Sequence, residues 1–342
     1  MYHLAVTTHN GLYSVVLDSN FDLDSVFRLD TDYHYGATVS YDAKTNETLL
    51  NTYRGGPGKE SVLPPEIREW RIGENQIENV KIYPLYADVG DVHQLTKSSN
   101  GELLITNTSF NSLDLWCKRT GVCSVFQFGD HRYDVNHVNS VLRAGDICLV
   151  MLHNLRKMES QIAILQLSTD NLWQEIRRFS LWDYCCHNVG VLGKNMFVNA
   201  SSAKAMVRLD INTLKENRRV NFGEHTKGLS SDGQFVFAGM SNSAARSDRV
   251  RSHGWINVVD PDSMKLIKKI SIHEDTMGYE IGNINEIRLL RQRDWFDECD
   301  ELDPLLTSRL TKISQNATQI LLRRFAIKVV DKTRRLIRNI VE

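Results

Sequence analysis

The chain has 342 residues, of which 42% are hydrophobic and 24% charged, and its formal net charge is −1. That balance belongs to a globular protein and excludes a disordered or collagen-like chain. No apolar run reaches the roughly 18 residues of a membrane-spanning helix, and six cysteines without a CxxC pair exclude a disulfide scaffold and a paired-cysteine zinc site. The opening Met1-Tyr2-His3-Leu4-Ala5-Val6 lacks a basic region followed by an apolar stretch, so no secretory leader is expected and the compartment is read as reducing and cytoplasmic.

Along the chain, short apolar runs alternate with turn residues and helical periodicity is rare, the pattern of an all-β sandwich, barrel or propeller. Strands are predicted over 4–7, 12–17 and 25–29, then over 37–41, 48–52, 67–72 and 80–83. A second set follows Asp91-Val92-His93-Gln94 at 103–106, 112–116 and 124–128. A third follows Asn136-His137-Val138-Asn139 at 147–151, 161–167 and 175–181. Cys186-His187-Asn188 opens a fourth, with strands at 196–198, 205–211 and 219–222. Glu224-His225-Thr226 opens a fifth, with strands at 235–238, 255–259 and 266–272. The set starts, His34, His93, His137, His187 and His225, lie 59, 44, 50 and 38 residues apart. A propeller blade is a four-stranded sheet of about 40–50 residues, so each set reads as one blade.

The three N-terminal strands and an alternating strand at 283–290 make one further blade, with 283–290 innermost. Joining both ends of the chain in one sheet closes the ring and removes free edges. The expected fold is a six-bladed β-propeller over residues 1–292, with seven blades as the alternative. Residues 293–342 are read as an acidic linker and a basic amphipathic helical tail. Residues 294–303 hold six carboxylates and no base, whereas 305–342 hold nine basic groups and two acids.

This repeat pattern resembles the six-bladed propeller superfamily of NHL-repeat, SMP-30 and strictosidine-synthase-like proteins. The phrases Asp91-Val92-His93-Gln94-Leu95, Ile105-Thr106-Asn107-Thr108 and Asn136-His137-Val138-Asn139 are similar to those of a family of uncharacterised bacterial propeller proteins. The SMP-30 resemblance implies a metal site of Glu, Asn and Asp type, for which Glu280, Asn139 and Asn188 are the loosely placed candidates.

One histidine recurs at each blade start. The innermost strands of a propeller line its axis, so His34, His93, His137, His187 and His225, with Glu280 in the sixth blade, are expected to ring one mouth. Neutral imidazole binds transition metals, and a mononuclear site takes three or four protein ligands. His93, His137, His187 and His225 are therefore the candidate ligands of a divalent metal (Fe, Zn or Mn). His34 and Glu280 are the candidate proton carriers. Loops between second and third strands should reach the same face, and they are basic. Arg54, Lys59, Arg156, Arg246, Arg249 and Arg251, together with Asn107, are the candidate substrate contacts. A purely structural histidine, hydrogen-bonded between blades, is the plain alternative.

Two functions follow. The first is a metal-dependent lyase, hydrolase or oxygenase acting on a small anionic or sugar-derived substrate. The second is a non-catalytic propeller that binds a glycan, a nucleotide-sugar or a partner protein. Nucleic acid is not expected, because the body is acidic. The tail at 305–342 is expected to dock on the propeller, touch a membrane surface or bind a partner.

Overall fold

The computed structural model describes residues 1–42, 44–55, 64–73, 77–85, 89–97, 102–129, 133–170, 172–272 and 280–297. The sequence calls on Lys59 and on the tail at 305–342 lie outside them. Among the described residues, six four-stranded antiparallel sheets follow one another around an axis. The first contains β1 (Tyr2–Thr8), β2 (Gly11–Leu17) and β3 (Leu23–Thr31). The second runs β4 (His34–Asp42), β5 (Glu47–Arg54), β6 (Glu66–Ile72) and β7 (Ile77–Pro84). The third runs β8 (Val92–Lys97), β9 (Leu103–Asn107), β10 (Ser112–Cys117) and β11 (Gly121–Gln127). The fourth runs β12 (Val138–Ala144), β13 (Ile147–Leu152), β14 (Gln161–Leu167) and β15 (Trp173–Ser180). The fifth runs β16 (Cys186–Leu192), β17 (Asn195–Ala200), β18 (Ala205–Asp210) and β19 (Glu216–Asn221). The sixth runs β20 (His225–Ser231), β21 (Val236–Ser241), β22 (Gly254–Val259) and β23 (Leu266–Ile272). Finally β24 (Ile284–Leu290) returns to the first sheet, whose order is β24-β1-β2-β3. The expected six-bladed propeller, closed by the N-terminal strands around a C-terminal innermost strand, is the observed fold. Seven blades are not.

Burial explains the sequence pattern. Second strands such as β13 are buried on both faces and read as unbroken apolar runs, Ile147-Cys-Leu-Val-Met-Leu152. Outer strands such as β19, Glu216-Asn-Arg-Arg-Val-Asn221, are mostly exposed and charged, which protects each blade's free edge. Six apolar clusters fill the six gaps between neighbouring blades. No described helix is long and apolar enough to cross a membrane.

A β-bulge recurs near the start of the innermost strands. Register shifts fall at His34/Ala37, Val92/Leu95, Val138/Ser140, His187/Val189 and Thr226/Leu229. The extra residue bends the strand and re-aims its side chains. His137 and Asn188 take left-handed backbone angles there (φ 51° and 53°). Below the bulges, a polar belt stitches blade to blade. Val141 N donates to Gln94 Oε1 (3.0 Å), Asn139 Nδ2 to Cys186 O (3.1 Å) and Asn188 N to Ser140 Oγ (2.8 Å). Gly228 N donates to Asn188 Oδ1 (2.7 Å), and Asn188 Nδ2 to Glu286 Oε2 (2.9 Å).

The far end of the inner strands is bridged by residues 294–297. Asp294 accepts hydrogen bonds from Ser230 Oγ (2.5 Å) and Leu289 N (3.2 Å). Asp297 accepts from Thr38 Oγ1 (3.0 Å) and from Val39 N. Phe296 lies between them, 2% exposed, against Phe197 and the bare Cα of Gly190. The first carboxylates of the acidic stretch are thus tied into the ring rather than solvated. Arg288, 1% exposed, neutralises this end through Glu286 (3.2 Å) and Asp297 (3.4 Å).

Candidate active site: a histidine-lined axial well

The other end is open. A cavity of about 620 Å³ enters along the axis and is lined by six histidines, His9, His93, His137, His153, His187 and His225. Arg156, Arg246, Arg249, Lys204 and Lys227 are its arginines and lysines, and no described lining residue is an aspartate or glutamate. The inner strands supply His93, His187, His225 and Lys227, and the β12 approach supplies His137. Tyr35 and Asn285 also come from inner strands, and the loops between second and third strands supply His9, His153 with Arg156, Ser201 with Lys204, and Ser243 to Arg249. Several of these loops turn through one or two short 3-10 segments (Asn154–Arg156, Ser201–Ala203, Arg246–Arg251) that bring them back over the mouth.

The imidazoles form a continuous wall. Ring centroids lie 4.9 Å apart for His93–His137, 4.7 Å for His137–His153, 4.9 Å for His153–His187 and 5.7 Å for His187–His225. Lys227 crosses the axis beneath them. Its Nζ donates to Asn285 Oδ1 (3.3 Å), stands 3.3 Å from His93 Nδ1 and lies 4.7 Å from the Tyr35 ring centre. Tyr35 OH meets His9 Nε2 at 3.1 Å, extending the wall to the first blade. Asp134 holds His137 Nδ1 at 2.9 Å and Glu224 holds Lys204 at 3.4 Å, both outside the lining.

Burial keeps five of these imidazoles, His9, His93, His153, His187 and His225, neutral. Desolvation first, then the Lys227 ammonium, hold His9, His93 and His187 well below the usual imidazole range. The same desolvation, with His137 and Lys227 nearby, pushes His153 down to about 2. With Lys227 and Arg249 it pushes His225 down to about 3. Lys227 itself is pushed down to about 7 by burial and then by Arg249. Arg249 Nε is buried with no hydrogen-bond partner among the described residues. The well is therefore lined by cationic and protonatable donors with no acid among the described lining residues, which suits an anion.

Four of the sequence candidates for the ring, His93, His137, His187 and His225, come together here, as do Arg156, Arg246 and Arg249. Others do not. His34 is wholly buried with its Nε2 on Asp30 (3.0 Å), because the bulge after it presents Tyr35 to the axis instead. Glu280 sits outside the lining, 3.5 Å from His253 Nδ1. Arg54 is held by Glu66 (2.9 Å) and Asp32 (3.7 Å) inside its own blade. Asn107 is buried between Asp114 Oδ2 and Gly90 N, a turn-fixing role. Arg251 is exposed and outside the lining. Asn139 and Asn188 stitch blades, as above. The sequence reading missed His9, Lys227 and Tyr35 as lining residues, whereas His153 lies in the His153–Lys157 loop it expected at this mouth. Lys227 carried a signal, since two residues after His225 on a strand share a face. His9 and His153 sit in the loop class already expected at this mouth.

Among the described residues, no three His, Cys, Asp or Glu side chains converge on a point where one metal ion would sit. The imidazoles tile a wall around an amine rather than a common centre.

No family model matches the sequence, and no curated protein matches it. Solved structures do. A chain of the nidogen/laminin complex is 9% identical, covers 86% of this chain and all of its own, and has a TM-score of 0.57. A protein of unknown function from Bacteroides caccae is 12% identical over 85% of this chain and 99% of that one, with a TM-score of 0.54. A Bacteroides fragilis protein named a "putative 6-phosphogluconolactonase" is 13% identical over 78% of this chain and 80% of that one, with a TM-score of 0.52. At such identities the likeness is one of fold, and it agrees with the strand order in making this chain a six-bladed β-propeller.

Proposed function

We propose that this protein is an enzyme that binds a small, multiply anionic, sugar-derived substrate in the axial well and moves protons on it with its imidazoles. The carrying observation is the lining of six histidines, three arginines and two lysines without an acid. Arginine forks bind phosphate or carboxylate through paired charge-assisted hydrogen bonds. Neutral imidazoles beside such an anion regain basicity, because the new negative charge offsets the desolvation that suppressed them. Ligand entry therefore draws protons into the well, and binding strengthens as pH falls through the ordinary histidine range. The phosphorylated sugar in the B. fragilis protein's name fits the same ligand class.

The test is calorimetric titration of the purified protein with inorganic phosphate and with an uncharged sugar, at pH 6 and pH 8. Phosphate is expected to bind with proton uptake, more tightly at pH 6, and the sugar not to bind. Arg249→Ala should weaken phosphate about tenfold, the loss of roughly 1.4 kcal/mol. Equal affinity of Arg249→Ala and wild type, or no phosphate binding at all, would remove this reading.

A second reading retains a divalent metal (Fe, Zn or Mn) on His93, His137, His187 and His225. The neutrality of His93, His187 and His225 favours it, since a ligating imidazole must be unprotonated. The Lys227 amine within 3.3 Å of His93 opposes it. Metal content of the purified protein by mass spectrometry separates the two.

A further inference from the structure

An amine attacks carbon only when unprotonated, and an ordinary lysine near neutral pH is almost wholly an ammonium ion. Lys227 is placed differently. Its side chain is buried, spans the axis from β20 to His93 on the opposite inner strand β8, and ends inside the cavity. Its described polar contacts, Asn285 Oδ1 and His93 Nδ1, are uncharged, and among the described residues no carboxylate pairs with it. Arg249 and Arg246 line the same well above it. The amine is thus desolvated, without an ion-pair partner among the described residues, next to a neutral base and in a well that also holds guanidinium groups. These are the conditions that make a lysine nucleophilic.

We propose that Lys227 forms an imine with a 2-oxo carboxylate, the oxo acid of a sugar or a shorter chain, bound in the well. This rests on the anion-binding reading above and names the substrate class. The Lys227 Nζ lone pair attacks the carbonyl carbon and forms the C–N bond, and the carbonyl oxygen takes up a proton. His93 Nδ1, 3.3 Å from Nζ, accepts the proton that the amine sheds. The same proton returns to the carbinolamine hydroxyl, the C–O bond breaks, and water leaves. One amine, one carbonyl and one proton from solvent, the one the carbonyl oxygen takes up, give one protonated imine and one water, with no change of oxidation state. The substrate carboxylate falls to the arginines, which explains why a cavity this basic lacks an acid. Burial holds the Lys227 ammonium down to about 7, so much of the amine is reactive at neutral pH. The protonated imine then draws electrons from the adjacent carbon, the chemistry needed to break a bond to hydrogen or carbon there.

The test uses the full chain, pyruvate as probe, and sodium borohydride, which reduces an imine to a stable secondary amine. Wild type is expected to gain one reduced pyruvate per chain, mapped by peptide mass spectrometry to Lys227. The labelling rate should rise as pH passes through about 7, and inorganic phosphate should slow it. Lys227→Met and Lys227→Arg should both lose the label. The arginine variant keeps the positive charge, and its phosphate binding reports that the well is intact. Wild type that binds phosphate but stays unlabelled would overturn the imine and leave the anion site standing. Label on another lysine, or equal labelling of Lys227→Arg, would overturn it as well. Labelling of Lys227 without any phosphate binding or protection would instead retain the imine and overturn the anion reading.

Discussion

Replacing His153 by glutamine and measuring stability at pH 7.5 and pH 5 isolates the cost of keeping one imidazole neutral in the well. His153 is 8% exposed, and its Nδ1 accepts a hydrogen bond from Leu155 N (3.1 Å), which a proton on that nitrogen would abolish. Burial holds it from 6.5 down to about 2. The unfolded chain therefore binds a proton at pH 5 that the folded chain refuses. A lowered histidine contributes full stability above 6.5 and loses it as pH falls towards the folded value. Between pH 7.5 and pH 5 the loss is about 2 kcal/mol, from 1.36 kcal/mol for each pH unit below 6.5. The whole-protein curve also contains Glu286 and Asp297, whose carboxyls burial raises to about 7 and whose contribution falls as pH rises. The difference between wild type and His153→Gln removes those groups, because both proteins carry them. Urea unfolding followed by tryptophan fluorescence gives the four stabilities. At pH 7.5 the variant is expected to be the less stable protein, having lost the Leu155 hydrogen bond. At pH 5 the difference should have moved by about 2 kcal/mol in the variant's favour. A difference that stays constant between the two pH values would refute the neutral-imidazole account of the well.

Two further outcomes concern the closed end. A Cβ on Gly190 would stand 2.4 Å from the Phe296 ring, so Gly190→Ala should displace residues 294–297. The expected cost is about 2–4 kcal/mol in urea unfolding, and Phe296→Ala should cost a similar ~3–5 kcal/mol. Because one contact is lost in both, the double variant should fall well short of additivity. Arg288→Met should be more severe in kind. It strands Glu286 and Asp297 and removes donors to Ala37 O and Leu229 O, for an expected loss of ~3–5 kcal/mol that lessens at low pH as the two acids take up protons. A loss that is the same at pH 5 and pH 8 would contradict that cause.

The strand pattern itself was legible because blades are local. Each is a run of alternating or wholly apolar segments divided by turns, and Gly145, Gly193 and Gly233, between first and second strands, take the positive φ that a tight turn asks of glycine. Ring closure was legible for a related reason, since one orphan strand at one end and three at the other leave a single way to bury every inner edge. The histidine register was legible as a repeat, and four of its five members meet. His34 fails because period-two reasoning assumes an unbroken ladder. One extra residue at a bulge turns Tyr35 inward, and no local preference in Tyr33-His34-Tyr35-Gly36 announces it.

What only the tertiary structure decided is the electrical character of the well. His9, His153 and Lys227 come from three different blades and acquire meaning from one another. His9 and His153 are held neutral and the Lys227 ammonium is pushed down to about 7, because they and the surrounding protein exclude water. The acids Asp294, Asp297 and Glu286, close in sequence to one another, are drawn to Arg288 at the opposite end of the axis. The sequence alone specified a closed ring of six sheets with imidazoles at one rim. The separation of acids to one end and bases to the other is a property of the folded axis, because it depends on which side chains each bulge turns inward and at what depth.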